Sequence, residues 1–172
     1  MSKYQMSLLQ PSDLHALYKF EKNNRVWFES QIQARGPEFY SVVGVKLHID
    51  ECLAMYRNNA MFPVLVKSQI GDIVARVNLH SIDVDKQRAL LGYRVAEKYI
   101  GEGIASFAAK SIITSAKDKF GIKTFVAIAS KHNLASQRVL EKVGFNRVRS
   151  YPNYAEVSGN SLDCYEYVLD LE

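Results

Sequence analysis

The sequence predicts an α+β fold, a mixed and mostly antiparallel central sheet of about seven strands flanked by helices. Three observations carry that prediction. Helical apolar spacing governs the stretch from Pro11 to Arg57; three β-rich runs joined by short polar turns follow; from Ile104 onward helices and strands alternate and the chain closes on two strands. The resulting order is β-α-α-α-β-β-β-α-β-α-β-β.

Each element has a local reason. "QMSLL" reads as a short first strand. Pro11, Ser12 and Asp13 mark a helix start with Ser12 as N-cap, because a short hydroxyl can accept from the first free amides. Leu14, Leu17, Tyr18 and Phe20 supply the apolar stripe of a helix running to about Asn23. "RVWFESQIQA" reads as a second helix ended by Gly36–Pro37. "KLHIDECLAMYR" reads as a third, with Leu47, Leu53, Met55 and Tyr56 as its apolar residues. "MFPVLVK", "IVARVNLHSI" and "RALLGYRV" form a meander, the middle run alternating through Ile73, Ala75, Val77, Leu79 and Ser81.

Ile104, Ala108 and Ile112 then recur at i, i+4 and i+8, and Gly121 suits the C′ position of that helix. "TFVAIA" reads as a buried strand. "NLASQRVLEKVG" reads as a compact helix with Val139, Leu140 and Val143 inward and Gly144 as its cap. "RVRSYPNY" and "SLDCYEYVLDL" complete the sheet.

Bulk properties narrow the function. A chain of 172 residues that is 48% hydrophobic and 23% charged fits one domain, residues 1–172, with a real core. No apolar run reaches the roughly eighteen residues of a membrane span, and the first residues lack a secretory pattern. Cys52 and Cys164 show no metal-binding spacing and read as free thiols, which points to the cytoplasm. The net charge of +4 is scattered, apart from Lys142, Arg147 and Arg149, so a nucleic-acid stripe is excluded and an anionic ligand is favoured.

One loop carries chemistry. In "EKYIGEGIASFAAKSII", Gly101 and Gly103 precede a helix, either as a plain turn or as a cradle in which free amides and the helix dipole hold phosphate. Gly103 is followed by Ile104 and Ala105 rather than a Lys-Ser/Thr pair, which excludes a nucleoside-triphosphate loop. The antiparallel meander upstream excludes a dinucleotide fingerprint.

Lys98-x-x-Gly101-x-Gly103 resembles the [Q/R]-x-x-G-x-[G/A] signature of the GNAT N-acetyltransferase superfamily. "NLASQRVLEKVGF", Asn133 to Phe145, resembles that family's second hallmark, and the order and separation of the two also match. The likeness spans nearly the whole chain. Within the family, "FEKNNRVWFESQIQARG" and "LGYRV" are similar to the ribosomal-protein alanine N-acetyltransferase branch. Lys98 departs from the signature, keeping a cation but losing the planar fork of arginine.

The resemblance implies the three-layer GNAT fold and acetyl-CoA as co-substrate, with no metal. Acetyl-CoA would lie where two central strands splay apart. Its pyrophosphate would rest on Lys98 and the backbone of Ile100, Gly101, Glu102, Gly103, Ile104 and Ala105, and its pantetheine arm would run beside Val95. Asn133 would bond that arm or serve as a helix N-cap. Ser136 would stand near the thioester, positioning sulfur or water, or would only pack. Leu140 stands where many members carry a tyrosine.

No carboxylate identifies itself as the base; Glu29, His80 and Asp83 are the candidates, and Glu29 stands beside Ser136 as an expected catalytic residue. Trp27 is either an acceptor wall or a core residue. The acceptor implied is the N-terminal amine of a protein, a ribosomal one included. The alternatives are a small amine (polyamine, amino acid or antibiotic) and a CoA-binding sensor without catalysis. A monomer or homodimer in the cytoplasm, without nucleic-acid or membrane contacts, completes the expectation.

Overall fold

The computed structural model describes residues 2–172. Strand β1 (Tyr4–Leu8) leads through a 3-10 turn into helices α1 (Leu14–Asn23), α2 (Arg25–Gln31) and α3 (Val42–Arg57). The meander β2 (Phe62–Ser68), β3 (Ile73–Asp83) and β4 (Arg88–Val95) follows. Helix α4 (Ile104–Phe120), β5 (Thr124–Ser130), α5 (Leu134–Val143), β6 (Asn146–Val157) and β7 (Asn160–Asp170) complete the order. The strands form one seven-stranded sheet, β1-β2-β3-β4-β5-β7-β6, as the sequence predicts.

Helices cover both faces. Val64 and Val66 of β2 point to a core shared with Ile104, Ala108 and Ile112 of α4, while Leu65 between them points to one built on Leu17, Phe20, Phe28, Val45 and Ile49. This two-sided cover explains β3. Val77 and Leu79 face α4 as their alternation predicts, yet Arg76, on the opposite face, is buried as well.

All neighbouring strands run antiparallel except β4 and β5. That parallel pair is joined through α4, and its ladder ends early, at Leu90 opposite Val126. Beyond those residues the two strands diverge and a cleft of about 690 Å³ opens between them. The cleft is the main consequence of the topology, because it exposes strand backbone in the centre of the sheet.

Three local expectations differ. Ser12 is not a cap: the chain forms a 3-10 turn over Pro11–Asp13, and the Asp13 carboxylate instead accepts from the Gln10 amide at 2.8 Å and pairs with Lys67 at 2.7 Å. Helix α2 stops at Gln31, ahead of Gly36–Pro37, because Ile32 turns extended at φ −137°. In α3 the buried face is Val45, Ile49 and Cys52, and Leu47 is 58% exposed. A helix has one inward stripe, and Ser41, accepting from the Gly44 amide at 2.9 Å, starts this one earlier than the sequence pattern predicts. Cys52 and Cys164 are free and buried. Among the described residues no helix is long and apolar enough to cross a membrane.

Candidate active site

The glycine loop forms one end of the cleft. Gly101 and Gly103 hold φ of +86° and +76°, the left-handed region where a Cβ is strained, and a Cβ built on either meets nothing within 4 Å. Gly103 is the N-cap of α4 and makes no side-chain cap, so the first amides of a 17-residue helix face open space. That is an anion cradle by geometry, and it fits a pyrophosphate. Ile100, Gly101, Gly103, Ile104 and Ala105 line the cleft.

Two side chains of this stretch turn elsewhere. The Tyr99 amide bonds back to the Ala96 carbonyl at 2.9 Å, curling the chain so that Lys98 lies exposed over the Tyr99 ring, 4.9 Å from its centre. The Glu102 side chain turns away to Tyr4 and Lys3 of the first strand region and tethers the loop there. Cations reach this end of the cleft from α5 instead, as Arg138 and Lys142.

Midway, α5 presents Asn133 and Ser136 to the cleft. Asn133 caps the helix, its Oδ1 accepting from the Ser136 amide at 3.0 Å. This leaves its NH₂ group for the cleft, so cap and ligand contact are compatible. The Tyr93 hydroxyl of β4 meets Ser136 Oγ at 2.9 Å and tethers that side chain across the cleft floor. Burial pushes the Tyr93 phenol up to about 12, with the Ser136 bond opposing, so it stays protonated at neutral pH. Val95 lies on the wall, and its carbonyl accepts from the Trp27 indole at 3.2 Å. Trp27 is therefore both a wall residue and a tie between α2 and β4, packed against the helical core.

A further stretch of wall is built on β3. Arg76, Asn78 and His80, at alternate positions, share the face turned to the cleft. Arg76 lies directly opposite Arg94 in the ladder, and Asn78 opposite Gly92. Like charges so placed repel, and the fully buried Glu21 of α1 answers both: Arg76 Nη1 donates to its Oε1, and Arg94 Nη1 to its Oε2 at 3.2 Å. Burial raises the Glu21 carboxyl, but Arg76, Arg94 and Arg35 outweigh it and hold it below its ordinary value. Burial, helped by the same arginines, drives His48 down to about 3. The imidazole is thus neutral where its Nε2 meets Arg76 Nη2 at 2.8 Å.

Among the candidate bases only His80 lines the cleft. Glu29 is absent from the wall and pairs with Arg25 at 3.0 Å, one turn away on the same helix. Asp83 pairs with Lys86 at the outer turn. Burial lowers His80, which keeps it neutral and able to accept a proton at neutral pH. Neither Asp nor Glu appears in the cleft wall. Arg35, Arg76, Asn78, Arg94 and Arg138 were not anticipated from sequence, and Lys142 only as part of a basic cluster. For Arg76 and Asn78 the one signal was a polar residue at every second position of a strand that is otherwise apolar, which reads equally as a solvent face.

A cleft with an anion cradle at one end, hydrogen-bonding groups at its middle and exposed strand backbone along its wall suits a long phosphorylated thioester and a second, nitrogen-bearing reactant. Among the described residues no group of three His, Cys, Asp or Glu stands together to hold a metal.

Comparison with known proteins agrees with the architecture. Residues 5–146 match the sequence profile described as Acetyltransferase (GNAT) domain. The chain is 29% identical over 99 residues to the candidate ribosomal N-acetyltransferase YdaF of Bacillus subtilis, a match spanning 58% of this chain and only 54% of that protein. It is similar to the ribosomal-protein-S5-alanine acetyltransferase of Vibrio fischeri, with a TM-score of 0.95 at 20% identity over 100% of this chain and 95% of that one. It also superposes on the ribosomal L7/L12 α-N-protein acetyltransferase RimL, solved with coenzyme A, with a TM-score of 0.92 at 18% identity over 99% and 96% of the two chains. At these identities the structural likeness establishes the fold.

Proposed function

We propose that this chain, which belongs to the GNAT acetyltransferase family, moves an acetyl group from acetyl-CoA to the N-terminal α-amine of a protein, a ribosomal protein being the first candidate. The observation that carries the reading is the cleft between β4 and β5, with its open left-handed glycine loop at one end and Asn133 and Ser136 at its middle. The residues fit the co-substrate. The first amides of α4, with Arg138 and Lys142, take the pyrophosphate, and the free β4 edge and the Asn133 amide take the pantetheine arm. The whole of residues 1–172 acts in this reading as one cytoplasmic domain.

The chemistry is direct attack. The amine nitrogen bonds the thioester carbonyl carbon, the carbon–sulfur bond breaks, the nitrogen sheds one proton and the departing sulfur gains one. Ser136, held by Tyr93, positions the sulfur or a water beside it; its hydroxyl is too weak an acid to do more. Neutral His80 is the base candidate. A weak base suffices because an α-amine, with a pKa of about 7.7–8.0, is already partly neutral at pH 7, whereas a lysine near 10.4 is not.

Coenzyme A release with a panel of free-N-terminus peptides, polyamines and antibiotics tests the reading. Peptide turnover is expected, with kcat/KM rising about tenfold per pH unit below roughly pH 8 and levelling above it. Turnover with polyamines alone would refute the acceptor. Coenzyme A binding without release by any amine would make the chain a sensor.

A further inference from the structure

Resting on the reading that this cleft serves acetyl transfer to an amine, we infer that the acceptor carries a carboxylate close to the reacting amine, and that Arg35, Arg76 and Arg94 form its seat. Three guanidiniums gather on the cleft wall around a single carboxylate, Glu21, and His48 beside them is neutral. Two positive charges are therefore left over on the wall, one of the three guanidiniums being the fully buried Arg76, and neither Asp nor Glu is among the described residues lining the cleft. Uncompensated buried charge is costly, so such a site favours an anion from solution.

The unused groups point the same way. Arg76 is 2% exposed, and its Nε–H is buried without a partner. Arg35 stacks on Phe39 at 4.2 Å and makes no ion pair among the described residues, leaving its planar fork free. Each Glu21 oxygen already accepts from one guanidinium, Oε1 from Arg76 and Oε2 from Arg94. A ligand carboxylate thus meets donors with nothing else to bond.

The register of the sheet orients the rest of the acceptor. Two residues along β3 from Arg76, the Asn78 Oδ1 is buried and unpartnered, an acceptor suited to an amine N–H. Gly92 stands opposite it, and a Cβ there would meet nothing within 4 Å, so the row holds open space for a substrate atom. His80 follows two residues further on. Anion seat, amine acceptor and base therefore succeed one another along a single strand face. The Arg76–Asn78 step is about 7 Å along a strand, which suits an acidic side chain at the second residue of a peptide better than the α-carboxylate of a free amino acid. Polyamines, which are cations throughout, are disfavoured by the same charges.

The test compares Ala-Glu, Ala-Gln and Ala-Lys peptides of one length, amidated at the C-terminus, alongside free glutamate and spermidine, in acetyl-transfer assays with wild-type protein. The Glu peptide is expected to exceed the Gln peptide by about tenfold in kcat/KM, the Lys peptide to fall below both, and the Glu-to-Gln ratio to collapse toward one in Arg35→Gln. Arg35 lies outside the Glu21 ion pairs, so this variant is expected to fold where Arg76→Ala is not. Calorimetry with the N-acetylated Glu and Gln peptides and bound coenzyme A reads the seat without turnover. Free glutamate used in preference to the Glu peptide would assign the carboxylate to an α-carboxylate rather than a side chain, and the seat would stand. Equal use of the Glu and Gln peptides, or a preference for Lys or spermidine, would overturn the inference and leave acetyl transfer intact. Absence of any turnover with preferential binding of the acetylated Glu peptide would keep the seat and refute the catalytic reading; absence of both would refute the two together.

Discussion

At the scale of single residues, Ser136 and Tyr93 show how a weak group is made useful. Ser136 heads the first turn of α5, where the Asn133 cap fixes its backbone at 3.0 Å and Tyr93 fixes its hydroxyl at 2.9 Å. A side chain held at both ends loses rotamer freedom before substrate arrives, which is the condition for positioning a reacting atom. Ser136→Ala is expected to lower kcat about tenfold with little change in KM for acetyl-CoA, and Tyr93→Phe to lower it less, since Asn133 still holds the turn. Steady-state kinetics on both variants decide this; unchanged turnover in Ser136→Ala would leave the serine a packing residue. Asn133 and Ser136 were legible in sequence because the motif names them. Tyr93 was not, because nothing in "LGYRV" tells which residue of another element its hydroxyl will meet.

Among the elements, the loop into α4 does most with least. Its amides are donors only because Gly101 and Gly103 take left-handed φ and put no side chain into the cleft. Gly103→Ala is expected to cost roughly 1–2 kcal/mol of stability from the positive φ, and to raise KM for acetyl-CoA several-fold by narrowing the cradle. Thermal melts and steady-state titration read the two effects separately. The same loop shows where sequence reasoning overreached. Lys98 belongs to the pattern, yet a 3-10 turn carries its side chain out of the cleft wall, while the Glu102 side chain, at an unspecified position of the signature, goes to Tyr4 and Lys3. A glycine's freedom to take a left-handed φ is written in its own residue type. The direction of a long charged side chain depends on which partner the tertiary fold offers it.

For the molecule as a whole, the Glu21–Arg76–Arg94 cluster ties helix α1 to β3 and β4 beside the cleft, and His48 joins it from α3. Unfolding returns His48 to its ordinary pKa near 6.5, so below that pH the unfolded chain takes up a proton that the folded chain refuses. The imidazole thus contributes stability that is complete above about pH 6.5 and is lost as pH falls toward 3; Glu21, also held low, adds a loss in the same direction at more acid pH. The melting temperature is expected to fall by several degrees between pH 7.5 and pH 5, and to fall less in His48→Gln, which does not titrate. Parallel slopes for the two proteins would remove His48 from the account. The sequence by itself determined the element order, the meander and the glycine turn that opens α4, because these depend on residues near one another in the chain: apolar period, turn chemistry and backbone freedom. Only the tertiary structure decided which face of α3 is buried, where β4 and β5 part, and that Arg35, Arg76 and Arg94 meet one buried glutamate. Those outcomes follow from long-range packing, in which helices laid over both faces of the sheet turn an alternating polar row into the interior wall of a cleft.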